Sequence, residues 1–193
     1  LDALREIGAW RVGDVFITHA NLDHFGSLPD VAPVLGVRRV HTTEAFAREA
    51  IERGSAASVL LSEINTDVRV LSAGEEPGFL RGAGRVLWPP AGYSGERANN
   101  HSLVLYVEAM TDAGARSLLL TGDIEPEAVH GVLAAHQGLR ADILELPHHG
   151  SARLASTGFV ERLNPSVVLQ SSGRSRLSDE RWDAARSGRD WLM

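Results

Sequence analysis

Neither cysteine nor lysine occurs in the 193 residues of this chain. The first absence excludes disulfide scaffolds, thiolate zinc sites and cysteine nucleophiles, so any metal must be held by histidine and carboxylate. The second leaves arginine as the sole basic side chain apart from histidine, 19 residues against 25 acidic ones, for a formal net charge of −6. The chain as a whole therefore lacks the electropositive surface that tight nonspecific polyanion binding requires, although a local basic patch is still allowed. Long apolar runs are also missing: pieces such as Ser117-Leu118-Leu119-Leu120 fall well short of the roughly 18 to 20 residues that cross a bilayer. Repeats and low-complexity segments are absent too, which leaves 44% hydrophobic and 23% charged residues, the balance of one ordinary domain able to bury a core. The chain opens at Leu1 without an initiator methionine or signal peptide and closes at Trp191-Leu192-Met193 without a helix cap, so it reads as a fragment cut at both ends.

The patterning is α/β. Leu1, Leu4 and Ile7 have helical spacing, Val15 to Thr18 reads as a strand, a helical stretch runs from Gly26-Ser27 to Leu35, and Val37 to His41 is a second strand. A helix follows from about Glu44 to Arg53, capped by Thr42 or Thr43. Asp67 to Leu71, Gly84 to Trp88, Ser102 to Ala109 and Arg116 to Thr121 are β-rich runs separated by Gly, Pro and Asn, which predicts an antiparallel meander. Helical signals return over Glu125 to His136 and around Phe159 to Leu163, with strands at Asp142 to Leu146 and Ser166 to Gln170. One domain spanning 1–193, an α/β fold of layered helices and sheets, is the simplest reading.

His19, Asn21 and Asp23 alternate by two directly after a strand, and His24 adds a second imidazole. An extended backbone would send the first three to one side, where imidazoles and a carboxylate suit Zn²⁺, Mn²⁺ or Fe²⁺. The same string would also serve as a helix N-terminus with Asp23 as its cap and the histidines partly exposed. Two more clusters stand at predicted strand ends, Thr121-Gly122-Asp123 and Pro147-His148-His149-Gly150-Ser151. Three such clusters are difficult to explain as core packing, because a buried Asp is costly without a cation or donor.

Four motifs in order, Thr18-His19-Ala20-Asn21-Leu22-Asp23-His24, Asn99-Asn100-His101-Ser102, Leu119-Leu120-Thr121-Gly122-Asp123 and Leu146-Pro147-His148-His149-Gly150-Ser151, resemble the metallo-β-lactamase-fold domain of ComEC-type competence proteins. The lead-in Val86-Leu87-Trp88-Pro89-Pro90 is similar as well. The resemblance implies an αββα sandwich, here truncated at both ends, with one or two divalent ions, Zn or Mn, and hydrolytic activity. It also implies that His19, Asp23, His24, Asp123 and one of His148 and His149 are metal positions, Asp123 bridging. His148 is the preferred ligand because it comes first off its strand, which leaves His149 for proton donation or a phosphoryl oxygen. Asn99 and Ser102 match the family's Asn-x-x-Ser element and are taken with Asp23 and His149 as catalytic. Asn21 stands where the family usually has Asp, and an amide is a weaker ligand. The family's opening strands and closing strand are expected to be missing.

What the resemblance implies in function is a phosphodiesterase or nuclease acting on DNA during uptake, beside a membrane channel domain and therefore membrane-associated and extracytoplasmic. A metallo-hydrolase of another ester, thioester or lactone, or a non-catalytic module with a partly decayed metal site, are the alternatives. Among the remaining residues, solvent exposure accounts for His41, His130 and His136, and a strand edge for His101. The four tryptophans, Trp10, Trp88, Trp182 and Trp191, are assigned to packing. Arg174 and Arg176 are the best local candidates for phosphate contact, against a solvated loop.

Overall fold

The computed structural model describes residues 2–64, 66–78, 83–112 and 114–193. It has a mixed α/β architecture with layered helices and sheets, and it divides into two compact units, residues 1–71 and 72–193. Leu1, included in the predicted first helix, lies outside the described residues.

The first unit contains α1 (Asp2–Glu6), β1 (Asp14–Phe16), α2 (Leu22–Phe25), α3 (Leu28–Leu35), β2 (Arg39–Thr42), α4 (Glu44–Ile51), α5 (Ala56–Ser62) and β3 (Asp67–Val70). Its sheet has the order β1-β2-β3, all parallel, with Val15 opposite Val40 and Val40 opposite Val68. Helical connections between successive strands make this possible, since parallel neighbours need a crossover. The helix starts are locally encoded: the hydroxyls of Thr43 and Ser55 accept from the amides of Phe46 and Ser58. Ile17, Phe25, Leu28, Ala32, Val40 and Phe46 form the core, Phe25 meeting Phe46 edge-on at 5.2 Å between ring centroids. The run at Asp67 is thus not part of an antiparallel meander. The crossover helix α5, which the sequence patterning left unassigned, returns the chain to pair β3 parallel with β2. Buried His41 is not solvent-exposed either: it stacks on Phe16 and bonds the Asp14 carboxylate at 2.9 Å, while Trp10 is exposed rather than packed.

The second unit contains β4 (Gly84–Trp88), β5 (Val104–Thr111), β6 (Gly114–Leu120), α6 (Pro126–Ala135), β7 (Ile143–Glu145), α7 (Leu154–Leu163), β8 (Val167–Leu169), α8 (Arg174–Leu177), α9 (Asp183–Arg186) and β9 (Asp190–Leu192). Its sheet runs in the order β4-β5-β6-β7-β8-β9. The antiparallel half, β4 to β6, is the meander the sequence predicts, and β6 to β9 are parallel because α6 and α7 intervene. Leu119, Leu144 and Val168 from the sheet and Val129, Val132, Phe159, Val160 and Leu163 from the two helices fill the core. α7 begins earlier than Phe159, since the Thr157 hydroxyl bonds back to the carbonyls of Arg153 and Leu154 and so remains compatible with helix.

A closing strand is present. β9 pairs with β8, and Trp191 anchors it by donating to Gln170 Oε1 at 2.7 Å and packing against Trp182. No helix among the described residues is long and apolar enough to cross a membrane.

Candidate metal-binding elements

In the first unit, the chain leaves β1 through buried Ile17 and reaches Thr18 and His19, which is 1% exposed. The backbone stays extended at Asn21 (φ −96°, ψ 136°) and turns into α2 at Leu22, so the period-two alternation ends before Asp23. Asn21 occupies the N-cap position and Asp23 the first turn, which corrects the expectation that Asp23 caps. The same turn brings His24 back over His19, with 4.3 Å between ring centroids. Thr18 Oγ1 lies 3.0 Å from His19 Nδ1 and 3.2 Å from His24 Nδ1. One hydroxyl therefore orients two imidazoles through the same ring nitrogen, and a ligand bond from either would use Nε2, the arrangement typical of metal-binding histidines whose far nitrogen is held by a polar partner. Asp23 Oδ2 stands 3.7 Å from His24 Nε2. Two oriented imidazoles and a carboxylate are a donor set that could hold a divalent ion. Thr18 is a functional position that sequence reasoning passed over; its place beside His19 was visible, its double contact was not.

In the second unit, three turns follow the ends of the parallel strands β6, β7 and β8. Gly122, with φ 54°, closes the first turn and presents Asp123, which is 4% exposed. Ser102 is fully buried and its hydroxyl accepts from the Asp123 amide at 3.0 Å, so the Asn-x-x-Ser element supports the aspartate through its backbone. Glu145 Oε2 accepts from the amides of Thr121 and Gly122, and His148 donates its amide to Gly122 O, tying the second turn to the first. His148, His149 and Gly150 are all left-handed, with φ of 50°, 53° and 74°. His149 Nε2 lies 3.6 Å from Asp123 Oδ1 and its Nδ1 lies 2.9 Å from the Ser171 carbonyl. His148 Nε2 lies 4.0 Å from Asp123 Oδ2, while its Nδ1 faces Glu125 Oε1 at 3.5 Å and Asn99 Nδ2 at 3.4 Å. Burial pushes the His148 pKa down, aided by Arg176 and Arg153 and opposed by Asp123 and Glu125.

Buried Glu125 was missed by sequence reasoning. Its Oε2 accepts from Arg97 at 2.9 Å and Arg153 at 3.3 Å, its Oε1 from Asn99 at 3.3 Å, and its amide donates to Asn100 Oδ1. Arg176 does not wave in a solvated loop but donates to the His148 carbonyl at 2.7 Å. His101 is half-buried, bonded to the Gly95 carbonyl at 2.7 Å and packed on Tyr93, rather than lying on a strand edge.

No protein-family model matches the chain. It is 28% identical over 181 residues, 87% of its length, to "ComE operon protein 3" of Bacillus subtilis. It is 42% identical over 88 residues, 45% of its length, to "Uncharacterized protein YcaI" of Escherichia coli, and 38% identical over 76 residues, 39% of its length, to "Recombination protein 2" of Haemophilus influenzae. The matches occupy 21%, 11% and 9% of those relatives respectively, so the chain spans about a fifth of their length at most. The similarities to the first and third of these proteins support a relation to the competence-related proteins.

Proposed function

We propose that this chain is a divalent-metal-dependent hydrolase that cleaves phosphodiester bonds of DNA in connection with its uptake, with the metallo-β-lactamase type of fold and Zn or Mn as its ion. The observation that carries the reading is the pair of imidazoles ranged against buried Asp123 at the ends of parallel strands, in a chain similar to competence-related proteins. His19, Asp23 and His24 would supply the ligands of one strand-end motif and Asp123 and a histidine of the His148-His149 pair those of the other. The hydrogen bond that aims His149 by its Nδ1 supports giving the ligand role to His149, and His148, facing Glu125 and Asn99, is left to hold a phosphoryl oxygen or the leaving group. That is the reverse of the order preferred from sequence. One or two bound divalent ions would supply Lewis acidity toward the phosphoryl oxygens and a water of lowered pKa. Thr18 fixes the first two imidazoles, and Ser102 and Asn99 act as positioning residues. A membrane channel domain next to this chain belongs to the same reading.

Asp123→Ala tests it. Purified chain should contain metal by elemental analysis, lose cleavage of linear DNA when stripped by chelator and regain it with added divalent ion, and Asp123→Ala should abolish cleavage and lower metal content while retaining its circular dichroism. Cleavage undiminished by the substitution, or by excess chelator, would overturn the proposal. A non-catalytic module with a decayed site is the second reading, favoured by the amide at Asn21.

A further inference from the structure

We propose that Glu125 organises Arg97 and Arg153 into the contact that grips the phosphodiester backbone beside Asp123; this rests on the reading above. An acidic chain that acts on DNA needs a local cationic surface, and composition alone does not say where it is. Glu125 is nearly inaccessible, its side chain 6% exposed, and a carboxylate so buried must be compensated. It is compensated twice. Arg97 and Arg153 each approach the same oxygen, Oε2, through Nη1 alone. One arginine binding both oxygens in parallel would have neutralised the carboxylate more strongly. Two single-pointed contacts instead leave each guanidinium with further N–H donors directed away from Glu125, and the side chains are 65% and 42% exposed. A guanidinium clamped at one edge and open at the other is preorganised for a phosphate, because less rotamer freedom is lost on binding.

The charge balance points the same way. Arg97 and Arg153 outnumber Glu125 by one at this contact, while Arg176, bonded to the His148 carbonyl, offsets Asp123, and Glu127 is held by Tyr93 and Asn100. His148 links this cluster to the reacting centre, its Nδ1 facing Glu125 and its Nε2 facing Asp123. Arg97 and Arg153 come from segments far apart in sequence and meet only because Glu125 starts α6 between the turn at Ala98–His101 and the start of α7. Glu125 is on this account a positioning residue, and the arginines are the groups that touch the strand.

The test uses a short fluorescein-labelled single-stranded oligonucleotide, with anisotropy read across a salt series in chelator so that no turnover occurs. Arg97→Gln and Arg153→Gln should each weaken binding roughly tenfold, uniformly over sequences, and lower the slope of log K against log salt by roughly 0.7. Arg116→Gln, on an exposed part of β6, should leave both unchanged. Glu125→Gln carries the decisive sign: it removes a negative charge, yet should weaken binding because the arginines lose their anchor. Tighter binding by Glu125→Gln would overturn the positioning role, and an unchanged slope in Arg97→Gln and Arg153→Gln would overturn the contact. Arg97 is mostly exposed, so its variant remains informative if Glu125→Gln does not fold. Slope changes as expected, with no cleavage by the parent chain under any divalent ion, would sink the hydrolase reading and leave this contact standing. Metal-dependent cleavage with unaltered KM in both arginine variants would do the converse.

Discussion

Replacing Ser102 by alanine removes one oxygen from a site with no solvent access and takes away the acceptor that the Asp123 amide uses at 3.0 Å. Deleting the acceptor of a buried donor costs about 1 to 3 kcal/mol, more than the hydrogen bond itself contributes, because water cannot replace it. Taking about 2 kcal/mol, and about 2 to 4 °C per kcal/mol for a chain of this size, the melting temperature should fall by about 4 to 8 °C. Ser62 provides the comparison: its hydroxyl bonds to the Val59 carbonyl on an exposed face of α5, where water takes over, and Ser62→Ala should shift melting by no more than about 2 °C. Tryptophan fluorescence is a suitable probe, because three of the four tryptophans, Trp88, Trp182 and Trp191, belong to the unit that contains Ser102, and the first two are buried. Equal melting of the two variants would refute the claim that the Asn-x-x-Ser element works by supporting the Asp123 turn.

Asp142 accepts from the hydroxyl and the amide of Ser117, which hold its carboxyl below the usual range, so its contribution is complete above the unfolded-state pKa near 4 and disappears as pH falls through the lower folded value. Asp142→Ala should therefore cost about 1 kcal/mol in urea unfolding at pH 7 and progressively less as pH falls below about 4; an equal cost throughout would contradict the assignment. Gly131→Ala should destabilise by about 1 to 3 kcal/mol despite the better helix propensity of alanine, since the added Cβ would stand 2.4 Å from the Trp88 ring; a raised denaturation midpoint would show that the ring yields. Asn21→Asp should retain metal at higher chelator concentration than the parent, by elemental analysis after dialysis, and identical retention would remove the argument from the missing charge.

How much was legible in the sequence depended on range. A threonine cap at 42 or 43, of which the structure uses Thr43, the strand runs, and the alternation of strands and helices around a meander, less the Asp67 run, are encoded within a few residues. α5 escaped because Ala56–Ser62 has no charge and no long period, and with it went the parallel placement of β3. His41 looked like a surface residue because nothing nearby in sequence announces Asp14, its partner 27 positions away. The strand-end motifs that suggested a metal were visible as short strings, whereas what orients them was not. Thr18 reaches His24 across a turn, and Arg97 and Arg153 meet on Glu125 from 28 residues to either side, a coincidence no local pattern can signal.

The left-handed run His148-His149-Gly150 shows what the topology is made to hold. Two consecutive non-glycine residues at φ near 50° cost of order 1 to 3 kcal/mol each and persist only where neighbours over-determine them. Here they are fixed from both flanking strands of the parallel sheet: the His148 amide by Gly122 after β6, the His149 ring by Ser171 after β8, the His148 carbonyl by Arg176, and the Gly150 carbonyl by Trp182 Nε1 at 2.8 Å. Gly150, at φ 74°, would be strained by any side chain, and a Cβ there would stand 2.7 Å from Gln170 Nε2, which would have to shift. An extended chain leaving β7 would send successive side chains to opposite sides. The left-handed turn instead gathers both imidazoles onto one carboxylate, at the C-terminal ends of parallel strands where open α/β sheets place their ligands. Backbone strain anchored at four points accords with the proposed role of this turn, which sets one imidazole against each oxygen of Asp123.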